Sequence, residues 1–152
     1  MPLSLVRRTH RAAIRRRPYQ LRVKIVDGST SISRQHLLAP VRGYHVRLIR
    51  VKVLQTSSDG RHLWELFFGD AGNMITAPNR SIDVLAVPDA GSAVTRTYSR
   101  SQGPRGKKDE VLSGRWRGVA PTSTTKIIIE YTEHRLDFRS GNSNPFPFSG
   151  RL

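Results

Sequence analysis

The junction between a cluster of arginines and an alternating segment constrains this chain more than any other feature of its sequence. Residues 7–17 contain six arginines and one histidine, a density of charge that a hydrophobic core does not accept. From residue 19 onward the sequence alternates between apolar and polar residues, which is typical of a half-buried strand. The predicted apolar face of this strand carries Tyr19, Leu21, Val23 and Ile25. We therefore predict a basic arm, residues 1–18, joined to a β domain.

The charge of the chain is concentrated in its first third. The formal net charge is +15, and residues 1–53 contain 13 basic side chains against one acidic side chain. Such an excess predicts an anionic partner, and arginines that neutralise phosphates bind nucleic acid without sequence specificity. A solvated tail that raises solubility is the alternative, and a mitochondrial presequence is a weaker one. The predicted nucleic-acid-binding residues are Arg7, Arg8, Arg11, Arg15, Arg16 and Arg17.

The rest of the chain predicts an all-β fold. About eight short apolar or alternating runs are separated by segments rich in Gly, Pro, Asp and Asn, and no run has a convincing helical period. This pattern favours an antiparallel β-sandwich or barrel, and eight strands in two sheets would be jelly-roll-like. We expect the sandwich to span residues 19–135 and an extended tail to span residues 136–152. The strand candidates are residues 19–26, 44–54, 62–68, 73–77, 82–87, 93–99, 113–119 and 126–132.

The candidate strand at residues 44–54 changes its apolar phase in the middle. A β-bulge near Leu48 and Ile49 would restore the register and place three basic side chains on one polar face. That face is either an ordinary solvated surface or a basic surface continuous with the arm. A second basic cluster, at residues 105–108, lies in a predicted solvent loop. The possible secondary basic surface comprises Arg47, Arg50, Lys52, Lys107 and Lys108.

Aromatic residues predict the core and a contact surface. Trp64, Leu66 and Phe68 share one face of a strand, whereas Phe67 lies on the opposite face beside Glu65. Phe67 therefore predicts that a loop or another subunit covers this second face. The tail is too apolar to be only solvated, although its prolines and glycine prevent regular structure. The predicted assembly residues are Phe67, Phe138, Phe146 and Phe148.

Trp116 lies between Arg115 and Arg117, and this triplet has two interpretations. An aromatic side chain between arginines can stack on a base in a protein that binds single strands. A strand that points Trp116 inward and both arginines outward explains the same pattern, and the alternation of the segment favours this interpretation.

The sequence contains no catalytic, phosphate-loop or zinc-binding motif, so we expect neither an enzyme nor a cofactor or metal site. Cysteine is absent, and the five histidines lie on separate predicted elements. The longest aliphatic run has three residues, 127–129, so we expect no membrane span.

In its layout the chain resembles small viral and phage virion proteins, because a basic arm precedes a compact β domain and an extended tail. The resemblance implies a structural subunit of a virion, such as a capsid, cement or minor capsid protein. It also implies that the subunit contacts copies of itself or other virion proteins, while the arm contacts nucleic acid or acidic neighbours. The alternative is a cellular nucleic-acid-binding protein, either a ribosomal component in the cytoplasm or an oligonucleotide-binding barrel. A lectin-like module is a third candidate.

Overall fold

The computed structural model of the chain describes residues 20–56, 59–70 and 81–135, and all regular structure in these ranges is β. The eight strands are β1 (Arg22–Gly28), β2 (Gln35–Leu38), β3 (Tyr44–Gln55), β4 (His62–Phe68), β5 (Ser81–Val87), β6 (Ala93–Thr97), β7 (Leu112–Arg117) and β8 (Thr125–Arg135).

The strands form two four-stranded sheets that pack as a sandwich. Sheet A has the order β1-β8-β3-β6, and sheet B has the order β2-β7-β4-β5. All pairs of neighbouring strands are antiparallel. The predicted all-β, antiparallel sandwich of about eight strands is confirmed. The predicted arm and tail, residues 1–18 and 136–152, lie outside the described residues.

The core lies between the two sheets and has an aromatic centre. Trp64, Leu66 and Phe68 all belong to the buried cluster, as the alternation of β4 predicted. Trp116 packs against Trp64, with ring centroids 6.5 Å apart. Gly114 makes this packing possible, because a Cβ atom at that position would collide with the indole ring of Trp64. The glycine in the middle of β7 is therefore a packing requirement.

The bulge predicted in β3 is confirmed. The register between β3 and β8 shifts between Leu48 and Arg50, so that Ile49 is the additional residue. Val46 and Leu48 before the shift, and Val51 and Val53 after it, all reach the core. One extra residue thus keeps both halves of the strand buried on the same face.

The predicted orientation of β1 is wrong. Val23 pairs with Glu130 and Ile25 pairs with Ile128, which lie on the outer face of sheet A. The core-facing residues of β8, Ile127 and Ile129, oppose Val26 and Lys24 instead. Because side chains alternate strictly along a strand, pairing with β8 in this register turns the apolar residues of β1 outward.

The two edges of sheet B test two further predictions. The turn-rich segment that contains residues 35–38 predicts a loop or a short irregular edge, and the second alternative is confirmed: β2 is a four-residue edge strand whose register with β7 shifts between His36 and Leu38. It buries Leu37 and Leu38. The apolar run of residues 81–87 predicts burial on both faces, and this prediction is wrong: β5 is an edge strand of sheet B and exposes Ala86 between buried Leu85 and Val87. The predicted strand at residues 73–77 lies outside the described residues.

Candidate binding surface on sheet A

The outer face of sheet A combines a basic stripe with an apolar stripe. The bulge in β3 places Arg47, Arg50 and Lys52 on this face, because Val46, Leu48, Val51 and Val53 point to the core. The sequence predicted this shared polar face. Arg50 is partly neutralised there by Glu130, with 3.1 Å between Nε and Oε2.

The apolar stripe consists of Leu21, which precedes β1, and the outward side chains of β1. Leu21, Val23 and Ile25 are 41%, 57% and 64% exposed, and β1 is an edge strand. Ile128 of β8 lies directly opposite Ile25 and extends the stripe across the sheet. A contiguous apolar surface on an edge strand is typical of a contact with another molecule.

The segment after β6 also contributes to this face. Residues 104–109, predicted to belong to a solvent loop, are mostly exposed and follow the first half of β3. The backbone N–H of Leu48 donates to Pro104 O at 2.9 Å, and that of Gly106 donates to Val46 O at 3.0 Å. An isolated antiparallel bridge pairs Arg105 with Arg47. Lys107 and Lys108 are exposed farther along the same segment.

Two histidines meet beside this arginine pair. His45 and His134 are directly opposed in the register of β3 and β8, and their rings stack with centroids 5.4 Å apart and an interplanar angle of 15°. Nε2 of His134 is also 2.7 Å from Oγ1 of Thr132. His45 is buried, whereas His134 is partly exposed.

Burial and nearby arginines lower the pKa of both histidines. For His45 the largest cause is desolvation, followed by the positive charges of Arg105, His134 and Arg47. For His134 desolvation is again the largest cause, followed by Arg47 and Arg105. Both effects disfavour the imidazolium form, so the pKa of each histidine lies below its ordinary value of 6.5.

An open cleft of about 200 Å³ lies next to the histidine pair. Leu21 and the bulged residue Ile49 supply its apolar lining, and its polar lining comes from Arg100, Thr132 and His134. Arg47 is tied to the same region, because one of its guanidinium nitrogens donates to the carbonyl of Arg100 at 3.3 Å. The cleft thus joins the apolar stripe to the basic side chains.

The sequence missed His45, His134, Arg100 and Arg105 as members of one cluster. His45 and Arg47 are two positions apart, so the alternation of the strand could have indicated that both side chains lie on the same face. The meeting with His134 depends on the pairing of strands that are about ninety residues apart, and no local pattern encodes that pairing.

The remaining predicted contact residues have other locations. Phe67 is 1% exposed, so it is covered within its own chain and is not part of the exposed surface. The predicted cover over the second face of β4 is present at both Phe67 and Glu65. The other predicted residues lie outside the described ranges, namely Arg7, Arg8, Arg11, Arg15, Arg16, Arg17, Phe138, Phe146 and Phe148.

Trp116 is a core residue. Its side chain is 2% exposed, and its indole N–H donates to the carbonyl of Ser29 at 2.7 Å. Arg115 lies on the opposite face of β7, where its Nε is 2.8 Å from Oε2 of Glu65. The inward interpretation of the Arg–Trp–Arg triplet is therefore correct, and Trp116 has no surface on which a base could stack.

The described residues contain no group of three or more His, Asp or Glu side chains placed to hold a metal ion. In the same ranges we find no helix with the length and apolar character needed to cross a membrane.

No family model matches the sequence, and no curated protein matches it. A solved structure of infectious bursal disease virus, Gx strain, aligns with 82% of this chain and 43% of its own chain, at 12% sequence identity and a TM-score of 0.22. The chain therefore spans less than half of the length of that viral chain. A TM-score this low does not establish a shared fold, and we draw no conclusion from this similarity.

Proposed function

We propose that this protein is a non-enzymatic structural subunit of a virus or phage particle. In this proposal the sandwich contacts copies of itself or other virion proteins, and the basic arm contacts nucleic acid or acidic neighbours. The protein is accordingly located in the virion, as a capsid, cement or minor capsid subunit.

The observation that supports the proposal most strongly is the order in which the strands pair. β1 pairs with β8, β2 with β7, β3 with β6 and β4 with β5, all antiparallel. The two halves of the chain therefore pair strand by strand around the connection between β4 and β5. We infer that the sandwich is a jelly roll, in which eight strands form two such sheets. Viral capsid proteins use this fold, as do lectins and cupins.

A fold alone does not determine a function. The basic arm is the feature that favours a capsid protein over a lectin or a cupin. Residues 7–17 hold six arginines, and β1 starts only five residues later, at Arg22. The arm therefore joins the sandwich at the edge strand of sheet A. A basic arm attached to a rigid sandwich supports a role in which one part holds a polyanion and the other builds the particle.

The apolar stripe on β1 supports contact with a second copy of the chain. An edge strand presents unpaired backbone groups, and here it also presents Val23 and Ile25 to solvent. A twofold-related copy would place the same apolar side chains against each other, which is the self-complementarity that an isologous contact requires. Fifteen net positive charges oppose this contact, so we expect nucleic acid to promote it.

A cellular nucleic-acid-binding protein is the second candidate. The basic stripe of Arg47 and Lys52 beside an open cleft favours it. Two points count against an oligonucleotide-binding barrel: such a barrel has five strands, and Trp116 is not at the surface. For this reason we rank this candidate below the virion subunit.

The proposal is tested by measuring assembly of the full-length chain with and without single-stranded DNA, using sedimentation velocity and electron microscopy. We expect DNA to drive formation of large, regular assemblies, and the double variant Val23→Lys, Ile25→Lys to prevent it. Val119→Lys is the control, because Val119 is 72% exposed but lies in the turn after β7. Monomeric complexes of the wild type with DNA would instead support the cellular binding protein. Equal assembly by the wild type and the β1 variant would contradict the proposed contact between copies through β1.

A further inference from the structure

We propose that His45, Arg47, Arg105 and His134 form a second phosphate-binding site, which binds the backbone of nucleic acid more tightly as the pH falls. The inference depends on the proposed function only for the identity of the ligand as nucleic acid. The site itself is argued from side chains of the sandwich, independently of the basic arm.

Strand register brings these four side chains together. His45 opposes His134 across β3 and β8, while Arg47 opposes Arg105 across the isolated bridge. Directly opposed residues on one face of an antiparallel pair have Cβ atoms about 5 Å apart. His45 and Arg47 are two positions apart on β3, so all four side chains lie on the outer face of sheet A.

The charges in this cluster are arranged unfavourably for the chain on its own. Two arginines face each other directly, and like charges in such positions destabilise a sheet. The positive charges of Arg47 on β3 and of Arg105 on the segment after β6 lower the pKa of both histidines. His134 on β8 also lowers the pKa of His45. Nε of Arg47 is buried and makes no hydrogen bond. A bound anion would supply the missing negative charge and the acceptor.

The nearby carboxylates are engaged elsewhere. Glu133, the neighbour of His134 on β8, accepts from the backbone N–H of Val41 and pairs with Arg22. Asp109, at the end of the segment that holds Arg105, accepts from the backbone N–H of Gly43. The positive charge on this part of sheet A is therefore available to an external anion.

Phosphate fits the donors better than a single metal or apolar ligand would. Arg47 and Arg105 are paired across the isolated bridge, and guanidinium groups offer several N–H donors that match the oxygens of a phosphate. Each histidine adds a further donor when it is protonated. The adjacent cleft, lined by Leu21 and Ile49, offers an apolar surface for the sugar or base next to that phosphate.

Nucleic acid is the phosphate source that the position favours. Leu21, which lines the cleft, lies only four residues after Arg17, the last arginine of the basic arm. A polyanion held by the arm is therefore delivered to the outer face of sheet A. The site would then anchor a strand to the rigid part of the molecule.

Proton uptake makes the site sensitive to pH. Burial and the two arginines keep the histidines neutral in the free protein at neutral pH, because the pKa of each is lowered. A bound phosphate reverses the local charge and favours the imidazolium form, so binding takes up protons. Affinity should rise by up to about tenfold per pH unit for each proton taken up.

The test uses the full-length chain and follows the histidine C–H signals by NMR. Sulfate is the first probe, because it does not titrate near neutral pH, and a short oligothymidylate is the second. We expect both probes to shift the His45 and His134 signals saturably, while the His36 and His62 signals stay in place. The affinity obtained from this saturation should be higher at pH 6 than at pH 7.5. Variants His45→Gln and His134→Gln assign the signals.

Arg105→Gln is the decisive variant, because it should lower the affinity for either probe at least about tenfold, as measured by the shifts of the two histidine signals. It should also raise the pKa of both free histidines by removing a positive neighbour. Arg61→Gln, an equal change of charge in the turn before β4, should do neither.

Three results would overturn the inference: no response of His45 and His134, a response that Arg105→Gln leaves unchanged, or a response to sulfate but not to oligothymidylate. Assembly is measured separately, so these outcomes are distinct from failure of the virion proposal.

Discussion

Glu65 of β4 and Arg115 of β7 form an ion pair on the outer face of sheet B, with 2.8 Å between Oε2 and Nε. The side chain of Glu65 is fully buried, while that of Arg115 is 29% exposed. Ser81 of β5 also donates its hydroxyl to Oε1 of Glu65 at 3.3 Å. Three strands of one sheet are thus connected through a single buried carboxylate.

Removing the arginine of this pair should destabilise the fold strongly. Arg115→Met removes the guanidinium that lies 2.8 Å from the buried carboxylate of Glu65, and breaking a buried ion pair typically costs about 3 kcal/mol or more. Urea unfolding followed by tryptophan fluorescence measures the loss. Arg117→Met is the matched control two residues along β7, and it should change stability by less than about 0.5 kcal/mol. Equal effects of the two changes would contradict a structural role for the buried pair.

Acidification should destabilise the protein through the histidine pair. Because the pKa of His45 and of His134 is below 6.5 in the folded state, the unfolded chain binds more protons at mildly acidic pH. This contribution to stability is therefore retained above pH 6.5 and is lost as the pH falls below it. Urea unfolding at several pH values between about 7.5 and 5.5 should show the decrease. The double variant His45→Gln, His134→Gln should flatten it, whereas His36→Gln should not.

Trp116 should contribute to stability and not to base stacking. Trp116→Ala removes a side chain from the core and should cost about 3 to 5 kcal/mol. Trp116→Phe keeps much of the packing but loses the hydrogen bond to Ser29, at a cost of about 1 to 2 kcal/mol. Fluorescence anisotropy should find that Trp116→Leu, which removes the aromatic ring, binds an oligonucleotide as the wild type does wherever the variant is folded. Loss of binding by this folded variant would instead restore the stacking interpretation.

The arm should account for most of the nucleic-acid affinity. Neutralising about six phosphates predicts a slope of roughly −5 for log affinity against log salt with duplex DNA. Replacing the six arginines of residues 7–17 with glutamine in the full chain should remove most of this slope. The comparison is Lys107→Gln with Lys108→Gln on the exposed segment, which should lower the slope less per charge removed. A salt dependence that persists in the six-glutamine variant would assign the affinity to the sandwich.

Local patterns in the sequence carried the strand predictions that were confirmed. Alternation in β4 identified its core face, because the two-residue period of a strand is a local property. The phase change in β3 predicted both the bulge and the common face of Arg47, Arg50 and Lys52. At Trp116 the same alternation separated a buried tryptophan from its outward arginines.

Predictions failed where the outcome depended on partner strands. The alternation of β1 correctly predicted a strand, but its pairing with β8 decided that Val23 and Ile25 point to solvent. The sequence left residues 35–38 as either a loop or a short irregular edge, because β2 is only four residues long and its stability depends on pairing with β7. β5 contains an apolar run, yet its position at the edge of sheet B leaves one of its faces partly exposed.

The sequence by itself determined the class of the fold and most of the strands, because the side-chain period acts over a few residues. Tertiary structure alone decided which face of β1 is buried, which acid neutralises Arg115, and that His45, Arg47, Arg105 and His134 meet on one surface. These relationships join residues up to 109 positions apart, as in the pair Arg22 and Tyr131, and they follow from strand order and register. Register is set by the packing of the whole sandwich, so no single segment of the chain specifies it.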